Sequence, residues 1–239
     1  MQPSPGAAAE DGALGRLVAG FAGFRRRHFE ADPDLYDRLL EGQHPEVMVI
    51  ACSDSRTDPA IVCGARPGDL FVVRNVAALV PPPGADGRPH GTAAAIEFGV
   101  KALGVRHVVV LGHSFCAGVR CLLEHRRDDR RFDYVSDWVA VAQEVREEMD
   151  GLVTEADHAL IARRAEQAAV LASLRHLAAY PFVADGVAAG RLHLHGWYFH
   201  FGWGTLQAAL GPHGPFRQLD VGDPLHAALG AARAGEAGA

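Results

Sequence analysis

Three short runs constrain this chain more than anything else in it: VMVIA (47–51), LFVV (70–73) and HVVVL (107–111). Each is almost unbroken in aliphatic side chains, with no alternate position reserved for water. A strand of that kind is stable in a sheet covered on both faces, which is the setting of parallel sheets. Parallel neighbours need long crossovers, and the intervals supply helical spacing at 59–64 and 92–103, where Ile96, Val100 and Leu103 fall in phase. The β-α-β-α-β alternation specifies an α/β fold with a central, mainly parallel β-sheet flanked by helices.

The remaining segments are expected to build around that sheet. Residues 13–41 carry helix-like spacing that sets Leu14, Leu17, Val18, Phe21, Leu35, Leu39 and Leu40 on apolar faces, and Pro33 opens a helix after Asp32. A further helix is predicted over 133–149. TEAD (154–157) reads as a capping box for a long helix that ends near Tyr180, before Pro181, with Leu160, Leu171, Leu174 and Ala178 on its buried face. RLHLHGWYF (191–199) alternates as a strand does, and TLQAAL (205–210) is a possible partner. Residues 1–12 and the tail 216–239, which ends in AALGAARAGEAGA, are expected to be flexible. No linker interrupts the span between them, so 13–215 reads as a single domain.

Composition narrows the partners. A net charge of -6 argues against a nucleic-acid binder, and RRDDRR (126–131) is mixed in sign, as a solvated loop or helix end would be. The opening MQPSPGAAAEDG lacks the apolar core of a signal peptide, and no run reaches the length of a membrane span. Four cysteines in 239 residues do not make a secreted disulfide framework. The expectation is a cytoplasmic protein with reduced thiols and no membrane partner.

In open α/β sheets, ligands gather beyond the carboxyl ends of the strands. CSDSR (52–56) follows the first strand and GHSFC (112–116) follows the third, so both fall on one edge. His113 and Cys116 have H-x-x-C spacing, and Cys52 can add a third ligand. Two thiolates and an imidazole suit zinc, which favours tetrahedral coordination by nitrogen and sulfur. A closed structural site would need a fourth ligand, for which Cys63 and Cys121 are candidates. Their apolar neighbours (Ile61 and Val62; Leu122 and Leu123) favour packed thiols instead. Three protein ligands with an open position is the catalytic arrangement. Asp54 then has a role as the acceptor that orients a metal-activated water. Arg56 can hold Asp54 in a bidentate pair, ionised and away from the metal.

With those residues in place, the sequence resembles the β-class carbonic anhydrases. The resemblance rests on CSDSR (52–56) and GHSFC (112–116), on GDLFVVRN (68–75) and GTAAAIEF (91–98), and on AYPFV (179–183) and HGWYF (195–199). It implies one Zn2+ per chain, held by Cys52, His113 and Cys116, with Asp54 and Arg56 as the catalytic dyad. The implied activity is reversible hydration of carbon dioxide to bicarbonate and a proton through zinc-bound hydroxide. Gln43 falls where plant-like members place an amide that bonds substrate, and Phe71, Val76 and Phe98 match positions lining the substrate pocket. A homodimer or higher even homo-oligomer is implied, with amino-terminal helices packed on the partner subunit. Some members close the zinc with the aspartate and carry a tryptophan three residues before the first cysteine. Val49 stands there, which implies the constitutively open form. His44, His90 and His200 are candidates for passing the proton out. Three positions depart from the family pattern: Ala117 replaces a glycine, Ala78 an asparagine, and Phe98 a tyrosine.

Overall fold

The computed structural model describes residues 12–84, 90–124, 132–150 and 158–220. TEAD (154–157) and RRDDRR (126–131) therefore lie outside the described residues. The chain forms two compact units, Met1–Gln43 and His44–Ala239.

The first unit contains α1 (Gly12–Phe24), which widens into a π-type turn over Arg25–Phe29, and α2 (Pro33–Leu40). The start of α2 follows its chemistry: Pro33 supplies the fixed φ of the first helical position, and the Asp32 carboxylate accepts from the Leu35 N–H at 3.2 Å. The rings of Phe24 and Phe29 pack against Tyr36. The apolar face read along α1 is exposed, with Leu14, Leu17, Val18 and Phe21 between 50% and 69% exposed.

The second unit is built on a six-stranded sheet, whose strands are β1 (Val47–Cys52), β2 (Leu70–Asn75), β3 (His107–His113), β4 (His193–His200), β5 (Thr205–Ala209) and β6 (Phe216–Gln218). Their order is β2-β1-β3-β4-β5-β6. The first four strands run parallel, and β5 and β6 add on antiparallel. β1 and β3 are central, and both faces of each are buried. Met48, Ile50, Val108 and Val110 pack on one side, while Val49, Ala51, Val109 and Leu111 pack on the other. That two-sided burial is why these runs lack polar positions. One expectation fails at the far edge. The tail assigned to 216 onward begins with β6, because its backbone pairs with the otherwise open edge of β5.

Around the sheet lie α3 (Pro59–Cys63), α4 (Gly91–Glu97) with a π-type continuation over Phe98–Leu103, α5 (Ala117–Glu124), α6 (Tyr134–Val139), α7 (Gln143–Asp150), α8 (His158–Ala178) and α9 (Pro181–Ala188). The helix expected over 133–149 is two helices, α6 and α7, joined by a 3-10 turn at Ala140–Ala142. The buried face of α8 also differs from the expected one. Leu160 and Ala178 are exposed, whereas Ala165, Glu166, Ala169, Val170, Ala172, Ser173, Leu174 and Leu177 are buried. Small residues dominate because α8 lies close over β3 and β4. A Cβ on Gly112 would run into the Val170 side chain, and one on Gly196 would come within 2.7 Å of Leu174 Cδ1. Among the described residues no helix is long and apolar enough to cross a membrane.

Candidate metal centre

β1 and β3 are adjacent and parallel, with Ile50 opposite Val110 and Ala51 opposite Leu111, so their carboxyl ends coincide. Cys52 is the last residue of β1 and His113 the last of β3. After His113 the chain must turn sharply to bring Cys116 back, and it does so by placing Phe115 at φ 59°, in the left-handed region. A bulky side chain there costs roughly 1–2 kcal/mol, so neighbouring contacts must hold the turn.

The result is a buried cluster. Cys52, His113 and Cys116 are 5%, 2% and 4% exposed, and one ligating atom from each lies within 4.8 Å of the other two. The two Sγ atoms stand 3.9 Å apart. Two thiolates on a tetrahedral zinc with bonds of about 2.3 Å would stand about 3.8 Å apart. His113 Nδ1 donates to the Ser114 carbonyl at 2.9 Å, which leaves a lone pair on Nε2. That Nε2 is buried and has no hydrogen-bond partner. A buried imidazole nitrogen without a partner, facing two sulfurs, fits a tetrahedral ion of the zinc type. Cys63 and Cys121 are not part of the cluster. Cys63 is exposed, contrary to the packed thiol expected of it, because α3 turns Ile61 and Cys63 outward.

The electrostatics favour the ligating thiolate at Cys52 and oppose it at Cys116. The hydrogen bond from Cys116 brings the Cys52 thiol down to about 4, against burial, with help from His113 and the Asp54 amide. The same shared bond, with burial, pushes Cys116 up. The Asp54 N–H donates to Cys52 Sγ at 3.4 Å. Arg56 grips Asp54 through Nε to Oδ1 at 2.9 Å and Nη2 to Oδ2 at 2.7 Å, and its backbone N–H reaches Oδ1 at 3.0 Å. These bonds hold the Asp54 carboxyl well below the usual carboxylate range. The guanidinium also lies over the Phe201 ring, 4.9 Å from its centroid, and Nη2 donates to the Phe115 carbonyl at 3.2 Å.

Some contributors are not evident from local sequence. Arg74 donates to the Cys52 carbonyl at 3.0 Å, the Asp54 carbonyl at 2.6 Å and Asp58 Oδ2 at 2.9 Å, so it fastens the whole 52–58 turn. Glu166, on α8, accepts from the Cys116 N–H at 3.0 Å and from the Tyr198 hydroxyl at 2.6 Å. Burial pushes its pKa up, and both bonds oppose that. The one available signal was a carboxylate set among the small residues of α8.

The expected pocket residues divide. Val76 packs against the apolar cluster that contains Cys52 and Cys116. Phe71 packs into the other cluster and faces Phe98, ring centroids 6.0 Å apart, and Phe98 is 49% exposed. Gln43 closes the first compact unit. His44 is exposed, whereas His200 is buried and stacked on Trp203. Two of the departures have visible consequences. Ala117 is exposed, so its methyl does not crowd the start of α5. The crowded position is Gly118, where a Cβ would meet Val76 and Ala77. Ala77 and Ala78 both take positive φ, 66° and 55°, a region in which asparagine is favoured over alanine. The Asn75 side chain secures that bend by bonding both the N–H and the carbonyl of Leu79.

A family model for carbonic anhydrase matches residues 47–206. The chloroplastic β-carbonic anhydrase 5 of Arabidopsis thaliana is 35% identical over 181 residues, 76% of this chain and 60% of that relative's length. The chain thus spans about three fifths of that relative. The solved structure of the β-carbonic anhydrase CcaA superposes with a TM-score of 0.82 at 31% identity, covering 87% of this chain and 93% of that one. Two tetrameric β-carbonic anhydrases from Sordaria macrospora provide a structure with a TM-score of 0.69 at 33% identity, covering 83% of this chain and 95% of that one. By its matched residues, its sheet and its likeness to these proteins, the chain belongs to the β-class carbonic anhydrase family.

Proposed function

We propose that the protein catalyses the reversible hydration of carbon dioxide to bicarbonate and a proton, with one Zn2+ held by Cys52, His113 and Cys116. The observation that carries this reading is the partnerless, buried Nε2 of His113 among the two thiols, next to an aspartate locked by arginine. Bound zinc supplies the Lewis acidity that makes a water-derived nucleophile available near neutral pH. Asp54, kept ionised by Arg56, accepts a hydrogen bond from that nucleophile and aims an oxygen lone pair at the substrate carbon. Arg56 holds both carboxylate oxygens, so Asp54 would be kept from closing the site as a further ligand. Val76, packed with Cys52 and Cys116, supplies an apolar wall; by the family resemblance Phe71 and Phe98 line the substrate pocket across a dimer interface, and Gln43 is the amide that bonds a substrate oxygen. A homodimer or higher even homo-oligomer completes the assembly, supported by the exposed apolar face of α1 and by the tetrameric relatives. A cytoplasmic setting suits thiols that must stay reduced.

Zinc-quantified protein tested by stopped-flow hydration against pH decides the matter. The wild type is expected to hold about one zinc per chain and to hydrate carbon dioxide well above buffer. Cys52→Ser loses metal and activity together, while Asp54→Asn keeps the metal and loses activity by about 100-fold or more. Zinc-loaded wild type that does not exceed buffer at alkaline pH would falsify the proposal. Sedimentation of the same sample should give an even multiple of the chain mass, and a monomer would exclude the assembly.

A further inference from the structure

We infer that Glu166 is a positioning residue for the metal centre: it fixes the Phe115–Cys116 peptide, and through that peptide it sets both the Cys116 ligand and the Arg56 guanidinium. The inference rests on the zinc reading of the site.

The geometry is that of a clamp on one peptide group. Its N–H, on Cys116, donates to Glu166 Oε1 at 3.0 Å. Its carbonyl, on Phe115, accepts from Arg56 Nη2 at 3.2 Å. An anion therefore holds one end of the peptide dipole and a cation the other. Both polarise the group in the same sense, so each bond strengthens its counterpart. Glu166 cannot drift, since it is 6% exposed and its second oxygen accepts from the Tyr198 hydroxyl at 2.6 Å. Tyr198 is itself fully buried on β4.

The clamp acts where the backbone most needs it. Phe115 sits at φ 59°, a conformation that relaxes unless something opposes it. Rotation of this peptide would swing Cys116 Sγ away from Cys52 and His113, and would withdraw the carbonyl that orients Arg56. Arg56 in turn holds Asp54. A buried carboxylate from α8 thus reaches the metal ligands and the aspartate pair through one peptide, without touching substrate.

The test uses the full chain with three variants: Glu166→Asp, Glu166→Gln and Tyr198→Phe. Zinc affinity is read by competition with a chromogenic chelator. The thiolate-to-metal charge-transfer band of the cobalt(II)-substituted protein reports ligand geometry. Glu166→Asp, one methylene short, is expected to weaken zinc binding about 10- to 100-fold and to shift the cobalt band. Glu166→Gln keeps the reach of the clamp without its charge, since its amide oxygen still accepts from Cys116 and its NH2 donates to the Tyr198 oxygen, so it is expected to lose less than Glu166→Asp in both readouts. Equal loss in the two variants, or loss in neither, overturns the inference. If Glu166→Asp does not fold, Tyr198→Phe carries the same question by freeing Oε2. An unchanged affinity and cobalt band in Tyr198→Phe then overturns it. Wild type that fails to bind zinc through Cys52, His113 and Cys116 sinks the zinc reading and this inference together. Wild type that binds while the variants bind equally well sinks only the inference.

Discussion

Arg56 divides its guanidinium among both oxygens of Asp54 and the carbonyl of Phe115, so it sits between the carboxylate and the turn that carries a thiol. Its removal should therefore do more than delete a charge. In Arg56→Ala, Asp54 loses its bidentate partner and is free to turn onto the metal as an added oxygen ligand. The expected outcome is retained zinc with hydration lowered by about 100-fold or more, and X-ray absorption should show an extra light-atom ligand. Unchanged coordination with full activity would remove Arg56 from the argument. At this scale, what was legible in the sequence depended on distance along the chain. Cys52, Asp54 and Arg56 share one turn, and His113 and Cys116 share another, so their chemistry could be read from spacing. Glu166 could not, because its partners lie 50 and 32 residues away and neither contact leaves a local signature. Arg74 was likewise hidden, since its three acceptors are reached only after β2 has paired with β1.

Among elements, the contact between β3 and α8 is the tightest constraint on the site's foundation. Gly112 immediately precedes His113, and any Cβ there would strike Val170. Gly112→Ala is expected to cost about 1–3 kcal/mol through overpacking, read as a lowered urea midpoint. Adding Val170→Ala should recover part of that loss, giving a double-mutant cycle with favourable coupling. Strict additivity would mean that the strand and helix do not press on each other here. The strands themselves were legible because near-continuous apolar runs have few alternatives. The orientation of α8 was not. A helix rich in alanine offers several faces of similar hydrophobicity, and the glycines beneath it, 112 and 196, determine which one docks. The 3-10 break at Ala140–Ala142 was similarly invisible, since helical spacing does not distinguish one helix from two with a tight joint.

The second unit separates its chemistry by strand direction: Cys52, His113 and Cys116 cluster at the carboxyl ends of β1 and β3, and His107, His193 and His195 gather at the amino ends of β3 and β4. His195, which shares a 3.1 Å hydrogen bond with His107, is brought from 6.5 down to about 4 by burial and then by the charges of His107 and His193. Its folded pKa lies below the unfolded one, so the unfolded chain takes up this proton first. The stability at issue is present in full above about pH 6.5 and is lost as pH falls toward about 4, an effect of at most roughly 3 kcal/mol. His195→Gln should flatten that part of the acid limb in urea titrations, and an identical slope in both proteins would exclude it. The division of the metal donors between β1 and β3 bears on how the chain is assembled in time. Cys52 and Cys116 are 64 residues apart, so in the unfolded chain His113 and Cys116 can meet an ion locally while Cys52 joins them only by closing a long loop. The third donor arrives when β1 docks on β3, after the loop-closure entropy of the intervening segment has been met. An ion held by all three donors therefore discriminates the docked chain from every looser one, and acts as a latch on unfolding instead of a seed for folding.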